Sequence, residues 1–308
     1  MKRLALARFL MTILRLVPKR YIIHGAHEDI PQPFFIFGSG RNGSTLLNQI
    51  LNQHPSLFLP SEQYFLGNSI IKYQLYNYIL WRDLVKIIYG ELIQSTGSHS
   101  WNFEPSQVIT EAMQFDPQQQ SLTNLIHHIY YAYGNIQKPG FRIWGDSTPY
   151  NTQYAKEIFK CFPKAKFIFL LRDGRDVTAA YKKAGKAIHE QFCEPQNSAQ
   201  HWLKSIEIYD WLRKKAEVQL IKYENLVSEP QTTVQSITDR LGVDYGSEML
   251  EFHNHVSNVD EYREPHHSNL HKPISTSSVG QWKELLNEVE LKAVERLIDQ
   301  KLERFNYL

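Results

Sequence analysis

The stretch Gly38-Ser39-Gly40-Arg41-Asn42-Gly43-Ser44-Thr45 is the part of this 308-residue chain best suited to chemistry. It follows the apolar run Phe34-Phe35-Ile36-Phe37 and leads into helix-forming sequence. A strand, a Gly-rich turn and a helix start bring free backbone N–H groups and the positive helix end to one point, a cradle for an anion. The spacing Gly38-x4-Gly43 followed by Ser44-Thr45 is that of a phosphate-binding P-loop, except that Ser44 stands where G-x-x-x-x-G-K-[ST] has Lys. Arg41 supplies a cation inside the turn instead. Such a turn holds a phosphate-like group but is poorly built for Mg²⁺-dependent transfer of a γ-phosphate.

A second apolar run, Phe167-Ile168-Phe169-Leu170-Leu171, ends in Arg172-Asp173-Gly174-Arg175-Asp176-Val177. An Arg at the C-terminal end of a parallel strand points into the ligand crevice of an open α/β sheet. There it would grip a second phosphate in bidentate fashion. Two phosphate sites on one nucleotide suggest a donor with anionic groups at both its 5′ and 3′ positions.

At these residues the chain resembles the sulfotransferases that use 3′-phosphoadenosine 5′-phosphosulfate (PAPS). Gly40-Arg41-Asn42-Gly43-Ser44-Thr45-Leu46-Leu47 is similar to that family's 5′-phosphosulfate loop, and Arg172 to Val177 to its 3′-phosphate motif. Gly145-Asp146-Ser147-Thr148-Pro149, Lys222-Tyr223-Glu224-Asn225-Leu226, and Lys272-Pro273 with Gly280-Gln281-Trp282-Lys283 resemble further family segments in the same order. The likeness is nearest to the bacterial-type and tyrosylprotein sulfotransferase branch, in which a Glu follows a His-Pro pair, as Glu62 follows His54-Pro55 here.

The resemblance implies in-line transfer of a sulfuryl group from PAPS to an acceptor hydroxyl, with no metal. Gly40, Arg41, Asn42, Gly43, Ser44 and Thr45 would hold the 5′ end, and Arg172 the 3′-phosphate. Tyr223 would contact adenine, and Lys272 would reach the phosphates from a late loop. Arg41 would also stabilise the transferring group, and Glu62 would be the general base. Taken by position alone, Glu62 reads first as a first-turn helix carboxylate, and only the His54-Pro55 spacing favours the base; His54, the competing base, reads rather as a charge at a helix C-terminus. Three positions depart from the pattern: Ala180 replaces a Ser eight residues after the motif Arg, with Lys182 and Lys183 as candidate substitutes, Ser147 replaces a Lys that assists in some relatives, and Asn42 replaces the loop's usual Ser. Two other readings stay open, a nucleotide or small-molecule kinase with an altered P-loop and a nucleotide-binding protein without turnover. The acceptor could be a carbohydrate, lipid, peptide or small molecule.

Elements that would position these groups follow from periodicity. Strands are predicted at 34–37, 141–144, 167–171 and 218–222, and helices at 43–53, 150–160, 174–184 and 231–241. The alternation implies an α/β fold with a P-loop-like central parallel sheet flanked by helices. Residues 62–134 show Tyr73, Tyr76, Ile79, Leu80, Val85, Ile88 and Leu92 at near-helical spacing, a helical insertion near the acceptor cleft. Its aromatic residues, Tyr64, Phe65, Tyr73, Tyr76, Tyr78 and Trp81, suit ring-bearing acceptors and a packed core equally. We read residues 31–308 as one domain, preceded by a basic amphipathic segment at 1–30.

That segment is apolar from Leu4 to Val17 but interrupted by Arg8 and Arg15, and its apolar core is too short to span a bilayer. It would lie on anionic lipid or pack on the protein's own surface. A net charge of +2 argues against nucleic acid as a partner. Two cysteines, Cys161 and Cys193, make neither a disulfide framework nor a zinc pattern, which is compatible with the cytoplasm. His253, His255, His266, His267 and His271 crowd one region without a metal-site spacing.

Overall fold

The computed structural model describes residues 2–13, 18–25, 30–95, 101, 104–185, 190–255 and 270–308. Five parallel strands form the sheet: β1 (Phe34–Phe37), β2 (Leu57–Phe58), β3 (Ile143–Asp146), β4 (Lys166–Leu171) and β5 (Val218–Lys222), in the order β2-β3-β1-β4-β5. An all-parallel sheet is covered on both faces, so its strands are continuous apolar runs. Accordingly Phe34, Phe35, Ile36 and Phe37 are all buried.

Alternate residues feed opposite faces. Phe35, Phe37, Phe167 and Phe169 belong to one core cluster, and Phe34, Ile36, Ile168 and Leu170 to the other. The first cluster takes in helices α3 (Leu66–Tyr76), α4 (Trp81–Gln94), α5 (Ser106–Met113) and α6 (Leu122–Gln137), together with α7 (Ala155–Cys161). Thus Phe65, Tyr73 and Trp81 are core residues, whereas Tyr76 and Tyr78 are exposed. The second cluster joins α2 (Ser44–Asn52) to α11 (Pro230–Leu241). The remaining helices are α1 (Lys2–Ile13), α8 (Gly174–Ala184), α9 (Pro195–Leu212), α10 (Tyr223–Ser228), α12 (Trp282–Leu285) and α13 (Glu288–Arg304).

The chain passes from β3 over β1 to reach β4, so β1 has β3 on one side and β4 on the other. A switch of this kind opens a crevice beyond the strands' carboxyl ends. The turn after β1 and Arg172 after β4 both border it.

Three expectations shift. The third strand starts at Ile143 rather than at residue 141, because the Arg142 and Ile143 N–H groups both donate to Ser56 O at the β2 edge. The helix expected at 150–160 opens as a 3₁₀ turn, Pro149–Tyr154, before α7. The two-residue β2 and the 18-residue α9 were not predicted.

Candidate active site

The turn after β1 follows a left-handed path: φ is 73° at Gly40, 50° at Arg41 and 97° at Gly43. A non-glycine residue rarely adopts that conformation, and such turns gather successive N–H groups into an anion seat. Gly43 has no side chain to cap α2, and Ser44 N–H makes only a 3.3 Å bond to Asn42 Oδ1, so the helix start suits an anion. The turn is fixed from outside. Thr152 Oγ1 bonds both the N–H and the carbonyl of Gly38, and Asn42 Nδ2 donates to Leu170 O at 2.7 Å. Ser39 O accepts from the Tyr181 hydroxyl at 2.8 Å, and His201 also bonds the Ser39 backbone.

Gly43 is constrained twice. A Cβ there would lie 2.5 Å from Tyr223 Cδ2, and its φ suits glycine alone. Gly43→Ala is expected to weaken binding of an anionic nucleotide at least tenfold, as titration calorimetry would record, since strain alone costs about 1–2 kcal/mol.

Arg172 is buried immediately past β4. Its Nη1 donates to Arg41 O at 3.0 Å, its Nη2 donates to Ser278 O, and its plane lies 4.6 Å from the Tyr223 ring centroid. Asp176 Oδ2 stands at 4.0 Å, at the outer limit of an ion pair, while Nε has no hydrogen-bond partner. Asp173 is engaged by Arg175 at 2.8 Å. Both predicted phosphate loops therefore meet in one crevice.

The rest of the second motif builds the wall. Asp176 accepts N–H bonds from Gly280 at 2.8 Å and Trp282 at 3.0 Å, which seats the late loop. Arg175 lies 4.3 Å from the Trp282 ring centroid and donates to Tyr307 O. Glu224 accepts from Asp173 N–H and from the Tyr307 hydroxyl.

Glu62 reaches the same crevice just after β2. Its charge raises the pKa values of both Arg41 and Tyr181, so it lies near the first loop. Burial, opposed in part by Tyr181 and Glu62, holds Arg41 below the usual guanidinium range, and Arg172 adds to that lowering. The segment before Glu62 is tied down by Asn48 Nδ2 donating to Pro60 O and Ser147 Oγ, and by Asn52 donating to Leu59 O. Gln63 N–H donates to Thr148 Oγ1, so the Asp146-Ser147-Thr148 segment holds the carboxylate's backbone. Tyr64 donates its hydroxyl to Glu62 Oε2 at 3.1 Å.

A sequence model of the sulfotransferase family matches residues 33–247. The chain belongs to the sulfotransferase family. It is 24% identical over 273 residues to a putative protein-tyrosine sulfotransferase of Caenorhabditis briggsae, covering 87% of this chain and 86% of that protein. The fold is shared with the sulfotransferase domain of the curacin biosynthetic pathway (TM-score 0.56, 20% identity, 88% and 97% of the two chains). It is shared as well with that of the Synechococcus PCC 7002 olefin synthase (TM-score 0.55, 18% identity, 89% and 98%).

Other predicted residues of the sulfotransferase stand differently. Tyr223 is buried between the loops, against Gly43, Arg172 and the Ser278 side chain. Lys272 is exposed and has no hydrogen bond or ion pair among the described residues. Lys182, a candidate substitute for the hydroxyl lost at Ala180, is bonded here to Leu285 O and Glu290. Ser278 turns its carbonyl to Arg172 and its side chain to Tyr223, so the serine-rich loop borders the site. His54 lies at the opposite end of β2 from Glu62 and accepts from Ser56 N–H. Burial, with Lys138 nearby, lowers its pKa. Arg15, His266 and His267 lie outside the described residues, among which no group of three His, Cys, Asp or Glu could hold a metal.

Sequence reasoning missed Thr152, Tyr181 and Trp202, which brace the loops from behind, and gave no role to the buried Asp146. Trp202 Nε1 donates to Arg172 O at 2.9 Å. Asp146 accepts from Tyr130, Thr148 N–H and Asn151, which offsets the burial that raises its pKa. The Asp in Gly145-Asp146-Ser147 was a usable signal, since a charge ending a buried strand needs partners.

Proposed function

We propose that this sulfotransferase takes its sulfuryl group from PAPS and passes it to an acceptor hydroxyl by in-line displacement. The 5′ end lies in the left-handed turn at residues 40–45, where α2 donors and Arg41 meet the charge that develops on the leaving oxygen. Arg172 holds the 3′-phosphate, and Nε, which has no partner, gives it a free donor. Glu62 accepts the acceptor's proton as the sulfur–oxygen bond forms. The ground-state pKa of a carboxylate is far below an alcohol's, so proton transfer is concerted with bond formation. The protein's own guanidinium groups supply the positive charge, so the scheme calls for no metal.

The observation that carries this reading is the 3.0 Å bond from Arg172 Nη1 to Arg41 O. It brings both anion sites within one nucleotide's reach. A kinase would need a phosphate-loop Lys and an Mg²⁺ site, and Ser44 occupies the Lys position.

Tyr64 and Tyr150 stand edge to face at 5.3 Å beside Glu62, which favours a ring-bearing acceptor. The name of the nematode relative favours a peptide tyrosine. Tyr64→Phe is expected to lower kcat about tenfold with little change in donor affinity, since a hydrogen bond to a charged group contributes about 1.5 kcal/mol.

Calorimetry with adenosine 3′,5′-bisphosphate and with ATP-Mg tests the donor assignment. The bisphosphate is expected to bind tightly and ATP-Mg weakly or not at all; the reverse order overturns the reading in favour of a kinase.

A further inference from the structure

Helix α1 is inside out for a helix on a protein surface. Its inner face carries Leu4, Ala7 and Met11 against the core, together with Arg8. Arg8 makes two 2.8 Å bonds to the Glu157 carboxylate and donates to Gln153 O. The outer face carries Leu6, Phe9 and Leu10, which are 58, 62 and 40% exposed. Spacing of i, i+3 and i+4 makes them one continuous apolar stripe. A stripe of this kind marks a contact surface.

We infer that α1 docks the protein on an anionic lipid surface. Charge selects this occupant over an apolar protein face. Residues 1–27 contain six basic residues, Lys2, Arg3, Arg8, Arg15, Lys19 and Arg20, and no acidic one. Arg8 is neutralised by Glu157, and Lys19 and Arg20 lie on the exposed segment that follows. That segment is pinned to the end of α3: Lys19 Nζ donates to Gln74 O, and Arg20 N–H to Asn77 O. Tyr76, Tyr78 and Leu80, at and just past that end of α3, are exposed as well. An apolar stripe in a basic segment binds in the headgroup plane, with the apolar side chains below the phosphates. The helix lies on the membrane rather than crossing it: at 12 residues α1 spans about 18 Å, short of the ~30 Å hydrocarbon core. Among the described residues no helix is long and apolar enough to cross.

Vesicle flotation of the full chain tests this with phosphatidylcholine alone and with a phosphatidylcholine–phosphatidylserine mixture. The wild type is expected to float with the mixed vesicles, to float far less with phosphatidylcholine, and to be released by high salt. The triple variant Leu6→Ser, Phe9→Ser, Leu10→Ser is expected to lose about tenfold or more in binding. Lys19→Glu with Arg20→Glu should weaken it as well. Unchanged circular dichroism would establish that both variants fold. Equal flotation of wild type and triple variant overturns the inference. So does a dimer in sedimentation velocity that the triple variant dissolves without any vesicle binding, because a second copy would then cover the stripe. Flotation involves no sulfuryl transfer, so its outcome is independent of the donor assignment.

Discussion

Glu62→Gln is expected to lower kcat by about 10²–10⁴-fold, the range for loss of a positioned general base. The exchange keeps the side chain's size and its ability to accept from Tyr64, and removes only the basic oxygen. Nucleotide affinity should hold or rise slightly. Glu62 is an anion beside Arg41, and its charge opposes a negatively charged ligand at that loop. Single-turnover transfer and calorimetry with adenosine 3′,5′-bisphosphate separate these two effects. Normal turnover in Glu62→Gln would remove the base assignment. His54 could not take its place, being at the other end of β2.

Arg172→Leu should act in the opposite way, chiefly on binding. The side chain is buried, spans from Arg41 O to Ser278 O, and stacks near Tyr223. Truncating one partner of a buried charge pair costs about 2–5 kcal/mol, a factor of roughly 30 to several thousand in Kd. The loss should be concentrated in ligands that carry a 3′-phosphate. A binding survey of adenosine 5′-phosphate against adenosine 3′,5′-bisphosphate reads this out: wild type prefers the bisphosphate strongly, and Arg172→Leu should bind both alike. A retained preference would place the 3′ site elsewhere. Trp202 bonds the backbone of residue 172, so the loop keeps that anchor in the variant.

The parts of the site legible in the sequence were those with strong local physics. β1 and β4 are buried on both faces, so they read as unbroken apolar runs ending in chemistry-bearing turns. Glu62 needed the His54-Pro55 resemblance, because a lone carboxylate has no pattern of its own. What was missed is tertiary. β2 has two residues and makes no periodic signal. α9 mixes polar and apolar residues around most of its surface, yet its residues His201 and Trp202 hold Ser39 and the Arg172 carbonyl. Lys182 looked free to meet a phosphate only because its partner, Glu290, is 108 residues away in the chain.

The bond between Arg172 and the Arg41 carbonyl makes the crevice a caliper. Its two jaws belong to different strands, and their gap is set by β1 and β4 lying side by side in fixed register. A ligand is thereby measured by the separation of its anions as well as by their number. Adenosine 2′,5′-bisphosphate has the same charge, but one of its phosphates is displaced by a single ring carbon. It should fit one jaw and miss the other, and a competition assay in which both isomers displaced equally would contradict a rigid gauge.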